Sequence, residues 1–421
     1  MDRLRVAVAD AGASADAGAS APAGSSVPAG TAYFTVRRGL LSTSFRYDDS
    51  YLASAGAYPI DPGWPLLDGG HHAAGLPGAF RDCSPDRWGR NLILRRLRAE
   101  ALADGRSSAA ANELDYLLGV SDFSRQGALR FSLDDAGPYL SAAPDVPPLV
   151  ELPRLLWAAD AVARGEGELA AVKELLDAGS GSLGGARPKA SVMDAGALHL
   201  AKFPHPSDEW DVMAWENTAL DLADAAAITT PRRRFLTVDG KGVLLLQRFD
   251  RRGSARIGYI SAMTVLGAED GEPQDYLDLA EAITEISPAP TADLRELWRR
   301  IAFSVAIHNT DDHLRNHGFL REGSGWVLSP MFDVNPSPIP GPRVTSIAGG
   351  RTMPEEIDGL ISAAPHFRLT GEAVHREVRR IAAALSGWRH AAQANGIRGR
   401  EAETFAPIID ERVRTLLAAV S

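Results

Sequence analysis

The sequence predicts an α+β chain in which a β-rich small lobe is joined to a helical large lobe, behind an extra N-terminal α+β subdomain. Three observations carry this: a strand-like start, short apolar runs separated by glycine turns between 189 and 247, and helical periodicity beyond 251. The 421 residues, at roughly 150 per domain, leave room for two or three domains. The expected boundaries are 1–145, 146–251 and 252–421.

In the first part, residues 4–9 and 32–36 alternate or run apolar as strands do. Of the 21 residues from 10 to 30, 18 are Ala, Gly, Ser or Pro, so this stretch reads as a flexible insertion across which the two strands pair. A strand and turn region follows through 42–47, and helical spacing of Leu92 and Leu97 marks a helix over 85–100. Four prolines between 138 and 148 remove backbone donors and mark a linker.

A helical pattern over 149–178 leads into Gly179-Ser180-Gly181-Ser182-Leu183-Gly184-Gly185. Two strands, 189–194 and 197–203, meet at the turn Ala195-Gly196. A helix is expected over 208–226, with Ser207 as its cap and Asp208 and Glu209 in the first turn, where acids complement the helix dipole. Asp239-Gly240 signals a second hairpin between 235–238 and 243–247. Further helices are expected over 275–286, 291–308, 371–386 and 404–420.

Composition excludes several classes. Apolar residues at 45% and charged residues at 23% are globular proportions, which excludes a chain disordered throughout. A net charge of −10 repels polyanions, so DNA is expected to be met only indirectly, through a basic partner. The single cysteine, Cys83, allows neither an internal disulfide nor a multi-cysteine zinc site. No apolar run approaches the roughly 18 residues of a membrane span, and the run at 6–9 is too short for a secretory signal. The expected location is cytoplasmic.

The glycine cluster precedes a strand, and Lys189 is followed by Ala190, so it departs from the P-loop pattern that opens a helix. Its backbone amides could close over phosphates as a kinase glycine loop does, or it could be a helix C-cap running into a solvent loop. Lys202 shares a strand face with Leu198 and Leu200, and Glu216 falls on an apolar helical stripe with Val212, Leu220 and Ala223. Buried charges need partners, and a strand lysine followed by a helix glutamate is the order a kinase small lobe uses. Two snorkelling side chains at a core rim would read the same.

The most informative stretch is Ile307-His308-Asn309-Thr310-Asp311-Asp312-His313-Leu314-Arg315-Asn316-His317. Kinase catalytic loops set an aspartate five residues before an asparagine, the first accepting a hydroxyl proton and the second holding magnesium. Asp311 and Asn316 have that spacing, whereas Asp312 is one residue short. Downstream, Phe332-Asp333 follows an apolar run and supplies a second candidate magnesium ligand. The rival reading of the same stretch is a zinc or di-metal hydrolase built on His308, His313 and His317 with Asp311 and Asp312. It lacks the Glu that should follow His313 in a zinc-protease motif.

Taken together, these pieces resemble the HipA-type serine/threonine kinases, toxins of bacterial toxin/antitoxin modules. The resemblance rests on Phe80-Arg81-Asp82-Cys83-Ser84-Pro85-Asp86-Arg87-Trp88-Gly89-Arg90, Ser182 to Lys189, Ala201-Lys202-Phe203-Pro204, Gln247-Arg248-Phe249-Asp250-Arg251, Thr310 to Asn316, and Phe332-Asp333. It implies a two-lobed protein-kinase-like fold that uses ATP and Mg2+. Asp311 would be the catalytic base, with Asn316 beside it, and Asn316 and Asp333 would hold the metal. Ser182, Gly184, Gly185, Lys189, Lys202, Glu216, Gln247, Arg248, Phe249 and His313 would line the nucleotide, with Gln247 to Phe249 as the hinge near adenine. Ser182 matches the serine that such kinases autophosphorylate. The implied partners are a helix-turn-helix antitoxin (HipB-like) and a protein substrate, of which an aminoacyl-tRNA synthetase is one known kind. Two alternatives stay open: an antitoxin-binding transcriptional co-regulator with little catalysis, and a small-molecule or lipid kinase. Cys83, where serine is common, and the insertion at 10–30 are departures outside the catalytic set.

Overall fold

The computed structural model describes residues 2–9, 26–105, 107, 110–135, 137–140, 146–166, 169–180 and 187–421. They form two compact units, residues 1–206 with 238–260, and residues 207–237 with 261–421.

In the first unit, an antiparallel sheet runs in the order His71–Ala74, Leu40–Tyr47, Ser26–Arg37, Asp2–Ala9, Leu129–Ser132. The two strands flanking the small-residue stretch do pair, with Leu4 opposite Ala32, and residues 26–30 are themselves strand. Alternation puts Thr43, Phe45 and Tyr47 on the buried face. There the Phe45 ring stacks on Trp64 at 5.1 Å, Trp64 meets Phe80 edge-on at 5.8 Å, and Phe80 meets Phe131 at 5.0 Å. Gly30 is required by close approach, since a Cβ there would lie 2.2 Å from the Arg46 carbonyl oxygen.

The helix expected over 85–100 spans Arg87–Ala103. Asp86 caps it by accepting from the Gly89 amide at 2.7 Å, so Pro85 lies outside, and Trp88, Leu92 and Ile93 are buried. The helical pattern at 149–178 is broken into a short 3-10 turn and two helices, Leu152–Ala163 and Leu169–Asp177, because the first ends at Arg164 and Gly165 takes up a left-handed φ of 78°. Strand Lys189–Asp194 pairs antiparallel with Ala197–Lys202 through the turn Ala195-Gly196 (φ 47° and 79°), and Ala197–Lys202 pairs with Lys241–Gln247. Asp239 and Gly240 (φ 48° and 76°) make the same left-handed turn before Lys241.

The second unit takes in the helix that the sequence assigns to the small lobe. It spans Val212–Ala225, with Asp211 rather than Ser207 as the cap, accepting from the Ala214 amide at 3.0 Å; Asp208 and Glu209 precede it. The reason is packing. Trp215 stacks on Phe405 at 3.8 Å and donates from Nε1 to Glu401 Oε1 at 2.8 Å, and Asn217 bonds Asn395 at 2.8 Å, which ties this helix to Trp388–Ala394 and Gly399–Ala418. The helix Pro290–Ala306 is the centre of the unit, burying Leu294, Leu297, Trp298, Ile301 and Phe303, with Trp298 Nε1 donating to the Leu360 carbonyl at 3.0 Å. Helices Tyr276–Ile286, Glu355–Ser362 and Glu372–Leu385 surround it, and the hairpin Gly318–Glu322 with Gly325–Leu328 follows the loop at its C-terminus. Among the described residues, no helix is long and apolar enough to cross a membrane.

Candidate active site

The central helix ends at Ala306 with Ile307 as its C-cap, and His308 turns the chain by adopting a left-handed φ of 58°. A β-carbon makes that conformation costly, so it persists only where surroundings hold it. Here His308 Nδ1 lies 2.8 Å from the Ser337 carbonyl oxygen, and the Ser337 amide returns a bond to the His308 carbonyl at 3.1 Å. Burial lowers the pKa of this imidazole. His308 therefore shapes the loop.

Beyond it the two adjacent aspartates part company, because consecutive residues in an extended segment face opposite ways. Asp311 faces solvent, while Asp312 is buried. The Asp312 carboxylate accepts from Tyr276 Oη at 2.5 Å, and it lies 3.0 Å from His317 Nε2 and 3.4 Å from Arg343 Nη2. Burial alone would raise its pKa; His317, Arg343 and Tyr276 outweigh that and hold the carboxyl well below the usual range. Arg343 also pairs with Glu356 at 3.1 Å, and Glu356 with Arg412. This buried chain of charges underlies the loop and removes Asp312 from consideration as the base.

Asp311 is the exposed member of the pair. The protein around it removes enough water to raise its pKa, and the nearby Asp333 and Asp312 carboxylates push the same way, against His313. Asn316 closes the short 3-10 turn Leu314–Asn316, and its Nδ2 donates to the Asp311 backbone oxygen at 3.0 Å. The five-residue spacing thus becomes a direct contact, with Asn316 Oδ1 the atom of that amide left for a cation. Asp333 also sits at a left-handed φ, 59°. The candidate metal donors, Asn316 and Asp333, are both hard oxygens, which fit magnesium better than a transition metal. Buried side-chain atoms without hydrogen-bond partners also gather in these two loops: Asn309 Oδ1, His313 Nδ1 and Asn335 Oδ1. Polar atoms left so are characteristic of sites that take up a ligand or ordered water.

The histidine-based metal site finds no support in this geometry. His308 is engaged with Ser337 and His317 with Asp312, and among the described residues no three His, Cys, Asp or Glu side chains converge on a point.

The nucleotide-side candidates fall largely in the first unit. Lys202 is buried at the end of strand Ala197–Lys202, directly opposite Lys189. Gln247 ends strand Lys241–Gln247, half-buried opposite His199, and Phe249 is half-buried with its ring 6.4 Å from Tyr259. Arg248 points the other way. Its guanidinium is buried against Asp250 at 2.5 Å and donates to the Ser124 carbonyl at 2.9 Å, so this side chain braces the fold instead of facing a nucleotide. Lys189 is likewise buried, its ammonium on Asp86. Glu216 is buried in the helix Val212–Ala225 of the second unit. Ser182, Gly184 and Gly185 lie outside the described residues. Sequence reading missed Asp86, Tyr276 and Arg343. Asp86 carries a local signal only as a helix cap, and nothing near Tyr276 or Arg343 announces their shared carboxylate.

The chain is similar to known proteins along most of its length. The family model of the HipA-like C-terminal domain matches residues 181–395, and that of the HipA N-terminal domain matches residues 27–120. Among curated proteins, Y4mE of Sinorhizobium fredii, named as a kinase, is 26% identical over 180 residues, which cover 38% of this chain and 40% of that one. The match thus spans well under half the length of this curated relative. Among solved structures, the chain is similar to HipA of Shewanella oneidensis MR-1, solved with HipB and its operator DNA, with a TM-score of 0.61 at 15% identity, covering 94% of this chain and 95% of that chain. The proinflammatory kinase CtkA of Helicobacter pylori gives a TM-score of 0.45 at 14% identity, over 56% of this chain and 93% of that chain.

Proposed function

The chain belongs to the HipA family of kinase-like proteins, and from that premise we propose that it is an ATP- and magnesium-dependent serine/threonine protein kinase acting as the toxin of a toxin/antitoxin module. The observation that carries the reading is the cluster of Asp311, Asn316 and Asp333: Asn316 is bonded to the Asp311 backbone, and the Asp333 carboxylate is near enough to raise the Asp311 pKa. A dication held by Asn316 and Asp333 would offset the repulsion between these carboxylates.

In the reaction, Asp311 accepts the proton of a substrate hydroxyl as its oxygen bonds the γ-phosphorus and the bond to the leaving ADP oxygen breaks. Asn316 holds the Asp311 backbone in register and, with Asp333, would ligate magnesium, which supplies neutralisation of phosphate charge. The Lys202 ammonium would hold ATP phosphates, and the glycine stretch 181–186 would close over them. Gln247 to Phe249 would border the adenine, with Arg248 bracing that segment from behind.

Ser182, within the glycine stretch, is the proposed autophosphorylation site. A phosphate there adds about −1.5 to −2 charge where an anion must bind, and so lowers ATP affinity. The expected partner is a helix-turn-helix antitoxin, by analogy with the Shewanella structure, which contains HipB and operator DNA. The net charge of −10 is consistent with DNA being met through that partner. The expected substrate is a protein hydroxyl, an aminoacyl-tRNA synthetase being one such protein.

The test is to incubate purified protein with γ-labelled ATP and magnesium, alone and with a cell lysate, and to resolve the labelled products. Label on Ser182 and on a lysate protein is expected. Label confined to small molecules would instead make it a small-molecule kinase, and no transfer at all would leave an antitoxin-binding regulator.

A further inference from the structure

The motif Ser84-Pro85-Asp86-Arg87-Trp88-Gly89-Arg90 has no part in the chemistry above, yet Asp86 reaches the nucleotide side of the first unit. Its carboxylate does two jobs at once. Oδ1 accepts from the Gly89 amide at 2.7 Å as the cap of helix Arg87–Ala103, and Oδ2 pairs with Lys189 Nζ, 103 residues away. The pair is nearly sealed from water, with side-chain exposures of 2% for Lys189 and 6% for Asp86. The Lys189 backbone is fixed as well, because Ser180 Oγ donates to its carbonyl oxygen at 2.5 Å.

Lys189 stands directly opposite Lys202 in the antiparallel pair of strands. Opposed residues share a face of the sheet, with their β-carbons about 5 Å apart, and like charges so placed repel. Two buried ammonium groups on one face need negative charge close by, and Asp86 supplies it to Lys189. Resting on the reading of Lys202 as the phosphate-binding lysine, we propose that Asp86 is a positioning residue for ATP phosphates: by holding and neutralising Lys189, it leaves the Lys202 ammonium undisturbed in its binding pose.

The signs are specific. With Asp86 neutral, Lys189 repels Lys202. With Lys189 neutral, the Asp86 carboxylate draws Lys202 toward itself. Both changes displace Lys202, and making them together removes both disturbances. The test is calorimetric titration of the full-length protein with Mg·ATP and, separately, with adenosine, which has no phosphates. The proteins compared are wild type, Asp86→Asn, which retains the capping oxygen, Lys189→Met, and the double variant. Each single variant is expected to bind Mg·ATP about tenfold more weakly and adenosine within about twofold of wild type, with the double variant back within about threefold for Mg·ATP. If the double variant binds as weakly as Lys189→Met, then Lys189 itself meets phosphate and the proposal falls. Unchanged Mg·ATP affinity in the single variants, or parallel loss of Mg·ATP and adenosine, also overturns it. Where a single variant does not fold, Asp86→Glu moves the charge by one methylene, and Mg·ATP affinity equal to wild type then defeats the proposal. Failure of wild-type protein to bind Mg·ATP would be a separate result, overturning the kinase reading itself.

Discussion

Tyr276, at the start of the helix Tyr276–Ile286, donates its hydroxyl to the buried carboxylate of Asp312 at 2.5 Å. The same ring meets His317 edge-on, with centroids 5.4 Å apart, and His317 is the second partner of that carboxylate. A helix remote in sequence is thereby fastened beneath the loop that carries Asp311. Arg343, Glu356 and Arg412 extend this into one buried network of charged side chains. Such a network is costly when any one member is lost.

Tyr276→Phe keeps the ring and removes only the donor to a charged acceptor. A loss of about 2 kcal/mol is expected in the unfolding free energy of the second unit, read by urea denaturation. An unchanged denaturation midpoint would mean that water replaces the hydroxyl.

Asp311→Asn and Asp312→Asn should separate chemistry from stability at adjacent positions. The first is expected to lower kcat by about 100-fold to 10,000-fold with little change in the unfolding midpoint, since it removes a general base from an exposed side chain. The second leaves a buried arginine charge unbalanced and is expected to cost about 3–5 kcal/mol of stability. Parallel kinetics and denaturation on both variants check this, and near-wild-type turnover by Asp311→Asn would remove it as the base.

Asp333→Ala is expected to weaken ATP binding at least about tenfold with magnesium present and to leave metal-free nucleotide binding unchanged. Titrations with and without the metal distinguish this from misfolding, which would reduce both.

Acid should destabilise the first unit through Asp250. Burial would raise this carboxyl's pKa, but Arg248 and Arg251, with the Gly127 amide, outweigh it and hold it well below the usual carboxylate value. A folded pKa below the unfolded value of about 3.9 gives stability that is present above about pH 4 and lost as pH falls toward the folded pKa. Asp250→Asn is expected to cost about 3 kcal/mol at pH 7, and its deficit relative to wild type should shrink on going to pH 2. Denaturant titrations of both proteins at the two pH values give the comparison.

Whatever depends on near neighbours along the chain was legible in the residues alone. The hairpin turns at Ala195-Gly196 and Asp239-Gly240 were legible because a tight left-handed turn demands small or polar residues at adjacent positions. The helix Pro290–Ala306 was legible because burial on one side imposes a 3.6-residue period. The spacing of Asp311 and Asn316 was legible because a single turn of chain brings them together. Which charges are buried, and what they meet, depends on contacts between distant parts of the chain. Asp311 and Asp312 are the same residue type side by side, and their opposite fates depend on Tyr276 and Arg343, 36 and 31 residues from Asp312. Lys189 and Arg248 match a nucleotide-binding pattern along the chain, whereas their ion pairs with Asp86 and Asp250 depend on the fold. The helix Val212–Ala225 took its place in the second unit from the stacking of Trp215 on Phe405. The physical reason is common to all three: periodicity and spacing encode geometry over a turn or two, whereas an ion pair or a ring stack between distant residues exists only once the chain has closed and excluded water around it.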